Sequence, residues 1–176
     1  MSETQVTIEL LGGMTFAGTD PSGLRIIMDA PPDGGGQGRG PKPVDVLAMA
    51  LGGCTGMDVI SMLRKMRQDV TAYEIRITGP RAESHPRIFT ALDVEHVVRG
   101  GGLDPRLVRR AVELSATRYC PASAMLGRSV PITHRYRVLS GDGSEVARGE
   151  IERFSPADWL QVSDESGAPE ARGRHA

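Results

Sequence analysis

Pro43-Val44-Asp45-Val46-Leu47-Ala48-Met49-Ala50-Leu51-Gly52-Gly53-Cys54 opens the stretch, residues 43–66, from which the fold can be read. A proline suits the first turn of a helix, where the missing N–H has no partner to lose. Between residues 44 and 63 the only formally charged side chains are Asp45 and Asp58. A helix over 44–67 is therefore apolar nearly all round and belongs in the middle of a fold. Its end, Arg64-Lys65-Met66-Arg67, puts cations where the helix dipole favours them. Gly52-Gly53 cost about 1 kcal/mol each relative to Ala in an exposed helix, and their missing side chains let another backbone approach.

Outward from this helix the chain alternates. Before it, Gln5-Val6-Thr7-Ile8-Glu9-Leu10 and the runs 14–19 and 24–29, punctuated by Gly12-Gly13 and Pro21-Ser22-Gly23, read as a three-strand meander. Residues 31–43, rich in Gly and Pro, contain almost no side chain able to enter a core and read as a flexible loop. After it, 71–78 and 89–98 alternate and read as a hairpin. Asp104-Pro105 is an N-cap followed by Pro at the first helical position, and Leu107, Val108, Ala111, Leu114 and Ser115-Ala116 mark one face of the helix that follows. Thr117-Arg118-Tyr119-Cys120-Pro121 interrupts that helix, and a short one follows over 122–126. Residues 132–139 form a core strand, and Gly141-Asp142-Gly143 turns the chain into a further strand ending at Ile151. From Ser163 onward weak order is expected.

Composition bounds the function. A chain of 176 residues is one domain's worth. With three Phe, three Tyr and one Trp against 22 Gly, its core is built from Leu, Val, Ile, Met and Ala. Twenty-one basic and 22 acidic residues leave no whole-chain field to recruit nucleic acid or an anionic membrane. No uninterrupted apolar run reaches the roughly 18 residues of a membrane span, and Met1-Ser2-Glu3-Thr4-Gln5 lacks the order of a signal peptide, so a cytoplasmic protein is expected. His85, His96, His134 and His175 lack zinc spacing, and Gly34-Gly35-Gly36 and Gly100-Gly101-Gly102 lack the context of a nucleotide loop. Neither metal nor cofactor is expected.

Two thiols remain, Cys54 and Cys120. Cys120 precedes Pro121 at the start of a short helix, where unpaired N–H groups are expected to lower its pKa. Asp58, four residues after Cys54 on the same helix face, is expected to raise that thiol's pKa. As small hydrophobes, both equally suit a packing role. Met49, Met57, Met62 and Met66 on the central helix suit core filling, or the lining of a site for a lipid-like ligand.

The two cysteine segments, Pro43 through Cys54 and Tyr119-Cys120-Pro121-Ala122-Ser123-Ala124-Met125-Leu126, followed by Ile132-Thr133-His134, resemble the OsmC and organic hydroperoxide resistance family. Residues 5–139 follow its order of elements, and Gly13-Met14-Thr15-Phe16 with Met28-Asp29-Ala30-Pro31 look like one side branch of it. The resemblance implies an α+β fold. It also implies an intertwined homodimer in which antiparallel sheets wrap two long helices, one from each chain. On that basis residues 1–140 form the family domain and 141–176 an extension. The resemblance makes Cys54 the peroxidatic thiol, which attacks an organic hydroperoxide, and Cys120 the resolving one, with a lipoyl-type dithiol as reductant. The family's activating Arg and Glu are missing: Met14 and Val44 stand in their places. Asp45, nine residues before Cys54 at about 100° per residue, lies on the opposite helix face. Arg25, Arg39 and Arg118 are the remaining candidate cations. A second reading follows from the missing pair: a non-catalytic protein that binds an apolar small molecule, or one with other thiol chemistry.

Overall fold

The structure, a computed structural model, describes residues 3–151; the expectations for Trp159, Leu160 and the weakly ordered tail lie outside them. The chain forms two compact units, one ending at Ala50 and one beginning at Leu51, each with its own sheet, in a mixed α+β fold.

In the first unit, β1 (Thr7–Gly12), β2 (Thr15–Thr19) and β3 (Arg25–Met28) form the expected antiparallel meander. Gly12 and Gly13 take positive φ values of 127° and 57° at its first turn, a conformation that costs glycine nothing. At the second turn the Asp20 carboxylate accepts the backbone N–H groups of Ser22 and Leu24. The loop after β3 is not the slack connection its composition suggests. Asp29, 1 % exposed, accepts N–H groups from Ala30, Gln37 and Arg39 and the Thr15 hydroxyl, so one buried carboxylate gathers the loop. Those bonds hold the carboxyl below its usual pKa, the Arg39 N–H most strongly. A Cβ on Gly36 would collide with the Ala30 carbonyl oxygen, so here glycine is required for packing.

Helix α1 (Pro43–Lys65) lies where expected but ends two residues before the 67 read from the sequence, with Arg67 at a positive φ of 57°. It is long and apolar enough to cross a membrane by length and composition, with mean hydropathy 1.7 over its most apolar window, although Asp45 and Asp58 interrupt it. Packing accounts for one face: Leu51, Gly52, Thr55, Gly56, Val59 and Leu63 are buried. Gly52 and Gly56 lie against the side chains of Ile77, Ile75 and Tyr73, whereas Gly53 faces open space. Close approach is therefore made by Gly52 and Gly56, one turn apart, rather than by the adjacent pair.

The second unit's sheet runs β4 (Asp69–Thr78), β5 (Leu92–Gly101), β6 (Ile132–Leu139), β7 (Glu145–Ile151). β4 and β5 pair antiparallel, as do β6 and β7, but β5 and β6 run parallel, so the sheet is mixed rather than antiparallel. The cause is the crossover between β5 and β6, which contains α2 (Pro105–Leu114), a five-residue π turn (Ser115–Tyr119) and α3 (Pro121–Leu126) and returns the chain to the same end of the sheet. Asp104 caps α2 through the Arg106 N–H at 2.9 Å. Two clusters fill the inner side: Val59, Leu63, Val98, Val108, Val112 and Val138 in one, and Leu51, Leu92, Val94, Cys120 and Val130 in the other. The outer side carries ion pairs such as Arg135–Asp93 at 2.7 Å and Arg137–Glu145 at 3.0 Å.

Candidate functional site

Both cysteines enter the second cluster from different elements. Cys54 sits half-buried on α1 and packs there together with Cys120, which is 1 % exposed and caps α3. The two cysteines are near enough in this cluster for Cys54 to act on the titration of Cys120. The Ser123 N–H donates to Cys120 Sγ at 3.4 Å, the contact expected of a helix start. The thiol pKa nevertheless moves up, not down. Burial is the largest cause; the Ser123 hydroxyl and N–H pull the other way, and Cys54 adds to the rise. A half-turn of N–H groups stabilises a thiolate by less than an apolar cluster destabilises it.

The segment leading to Cys120 is bound to the helix carrying Cys54. Ser115, fully buried at the start of the π turn, places its Oγ 2.8 Å from Thr55 Oγ1 and donates to Asp58 Oδ2 at 3.0 Å. Its carbonyl oxygen accepts the Cys120 N–H at 3.0 Å. Asp58, expected to act on Cys54, is thus engaged by Ser115; its charge also helps burial push the Tyr73 hydroxyl well above its ordinary pKa. Sequence reading placed Ser115 on an apolar helix face. The inserted residue of a π turn, which rotates the following chain, has no signature in composition or periodicity.

Asp58, Ser61, Met62, Lys65, Met66, Leu114 and Tyr119 line an open cleft of about 420 Å³. Asp58, Ser61 and Lys65 are 4, 7 and 11 residues beyond Cys54, so the cleft runs along the face of α1 that carries the sulfur. Tyr119, the neighbour of Cys120, is among its lining residues, and neither cysteine is. Arg118 lies in this unit with its guanidinium 5.7 Å from the Tyr119 ring centre. Arg25 pairs with Glu9 at 3.4 Å, and the Arg39 backbone serves Asp29; both belong to the first unit. No cation is among the groups that shift Cys120.

A further polar row crosses the inner face of the second sheet. Tyr73 Oη lies 2.6 Å from His96 Nδ1, and His96 Nε2 lies 3.2 Å from His134 Nδ1. A protonated Tyr73 donates, which directs the chain of bonds from Tyr73 to His96 to His134 and leaves His134 Nε2 buried without a partner. Burial lowers His96 to about 3, helped by His134, and His134 to about 4. The scattered histidines of the sequence thus include two buried ones. Val94-His96-Val98 and Ile132-His134-Tyr136 carried the signal: period-two alternation sets both imidazoles among inward residues. Among the described residues no group of three or more His, Cys, Asp or Glu is arranged to hold a metal ion.

A family model described as OsmC-like protein matches residues 35–135. Protein YhfA of Escherichia coli strain K12 is 40% identical over 136 residues, covering 77% of this chain and 98% of the relative. Among solved structures, a hypothetical protein from Aquifex aeolicus is 29% identical with a TM-score of 0.70, covering 80% of this chain and 98% of its own. An organic hydroperoxide resistance protein OsmC from Legionella pneumophila, 17% identical with a TM-score of 0.56 over 78% of this chain and 97% of its own, shares the fold.

Proposed function

The chain belongs to the OsmC-like family, and from that premise we propose that it reduces organic hydroperoxides through Cys54 and Cys120. The observation that carries this reading is the packing of both cysteines, from α1 and the start of α3, in one cluster, with Asp58 and Tyr119 close to them in sequence lining a cleft. A hydroperoxide ROOH oxidises the Cys54 thiolate to a sulfenate and leaves as ROH. The sulfenate takes up a proton to become the sulfenic acid, and the Cys120 thiol, giving up its proton as it attacks the Cys54 sulfur, forms the disulfide while the sulfenic hydroxyl leaves with that proton as water. A dithiol of the lipoyl type reduces that disulfide by exchange and is itself oxidised to a cyclic disulfide. The pair works as dithiol only in a reducing compartment, which fits a cytoplasmic location. The raised pKa of Cys120 suits its role: a neutral buried thiol does not compete for peroxide.

The working unit is a homodimer. Val6, Ile8, Leu24 and Ile26 are more than half exposed on the first sheet, and they line a shallow cavity of about 600 Å³ with Met28 and Val46. On α1, Met49 and Met57 are 59% and 69% exposed. Monomers rarely leave such apolar surface open, and a second copy covers it in this reading.

Steady-state reduction of cumene hydroperoxide with dihydrolipoamide tests the activity. Turnover that disappears in Cys54→Ser supports it; consumption no faster than that of the free dithiol refutes it. The second reading, storage of an apolar ligand without catalysis, draws on the same cleft and on Met14 and Val44 at the activating positions. It predicts a retained acyl-like molecule in native mass spectrometry and no peroxide turnover.

A further inference from the structure

Cys120 and Cys54 are joined by a short path of hydrogen bonds that the dithiol chemistry itself does not require. The Cys120 N–H donates to the Ser115 carbonyl at 3.0 Å, and Ser115 Oγ meets Thr55 Oγ1, on the residue after Cys54, at 2.8 Å. The same hydroxyl donates to Asp58 Oδ2 at 3.0 Å, one helical turn beyond Cys54. Ser115 and Thr55 are each fully buried, so water does not replace the bond between their hydroxyls. Two consecutive bonds thus connect the backbone of one cysteine to the side chain next to the other. They do so at a π turn, where an i→i+5 bond replaces the helical ladder.

We propose that Ser115 is a positioning residue that holds the Cys120 segment against α1, so that its Thr55 and Asp58 bonds set the rate and equilibrium of Cys54–Cys120 disulfide closure. The inference rests on the dithiol reading above. Ser115 touches neither peroxide nor reacting sulfur; it acts through the backbone N–H of Cys120. It therefore governs the second chemical step, loss of water as the disulfide forms, and leaves the first, transfer of oxygen to Cys54, unchanged.

The experiment follows the two steps separately in the full chain. Sulfenic acid formation is timed after one equivalent of cumene hydroperoxide by trapping with dimedone, and disulfide closure by intact mass. Closure in Ser115→Ala, which loses the bonds to both Thr55 and Asp58, slows at least about tenfold, the factor that about 1.4 kcal/mol carries, so that trapped sulfenic acid accumulates. Thr55→Val, which keeps the shape and loses the hydroxyl, gives the same split, and Thr55→Ser, which keeps the hydroxyl, restores parental closure. Thr117→Ala in the same π turn, whose hydroxyl bonds only the Glu113 carbonyl at 2.7 Å, leaves closure unchanged. In dithiothreitol redox buffer, without peroxide, the disulfide of Ser115→Ala and of Thr55→Val is about tenfold less favoured, about 30 mV for a two-electron couple. Parental closure rates in a folded Ser115→Ala or in Thr55→Val, or equal slowing of both steps, overturn the proposal. Failure of the parent protein to react with peroxide refutes the function instead. The redox-buffer equilibrium then still decides the role of Ser115, because it reads the two thiols alone.

Discussion

Two imidazoles buried as neutral groups make the stability of this protein fall on mild acidification. Burial lowers His96 to about 3 and His134 to about 4, against about 6.5 for an unfolded histidine. A depressed histidine pKa means that the unfolded chain binds protons the native state refuses. The stabilisation is complete above the unfolded pKa and is lost as pH falls towards the native one. Between pH 7 and 5 the unfolded chain takes up most of one proton per histidine while the native state takes almost none. That amounts to about 2 kcal/mol for each, or about 4 kcal/mol for the pair. The carboxylates held low by hydrogen bonds, Asp20, Asp29, Asp104 and Asp142, add their losses below that window. Urea unfolding at pH 7, 6 and 5, at fixed protein concentration and with constant m, measures the slope. His134→Phe removes one titrating group and halves it. A stability flat between pH 7 and 5 refutes the buried, neutral state of the pair.

Asp29→Asn keeps shape but gives up the charge that gathers three N–H groups and a hydroxyl. It lowers the unfolding free energy by about 2 kcal/mol, read from urea midpoints. Gly36→Ala forces a methyl onto the Ala30 carbonyl and costs more than about 2 kcal/mol, whereas Gly53→Ala, facing open space on a helix, is neutral or gains up to about 1 kcal/mol in the free chain. Sedimentation equilibrium checks the homodimer: twice the chain mass is expected, and Ile8→Lys with Ile26→Lys on the exposed sheet face shifts it to one.

What the sequence made legible were the features written in local pattern. The all-round apolar run gave α1, Asp104-Pro105 gave the start of α2, and alternation gave β6 with both its ends. What it hid were features decided by distant partners. The 31–43 loop looked structureless because its organising side chain, Asp29, precedes it in the sequence. The parallel pairing of β5 with β6 leaves no local trace, since it depends on where the crossover returns. The Cys120 pKa was misjudged because helix-start chemistry is visible in sequence and burial under Leu92, Val94 and Val130 is not. Ser115 was passed over for the same reason: only the π turn and Thr55, sixty positions away, give its hydroxyl a role.

Whether Cys54 and Cys120 act as a peroxide-reactive pair is decided by intact mass after one equivalent of cumene hydroperoxide. Such a pair loses two hydrogen atoms, about 2 Da, reversed by dihydrolipoamide, with peptide mapping that joins Cys54 to Cys120. Addition of one to three oxygen atoms at Cys54 with Cys120 still free, or an unchanged mass, would contradict it.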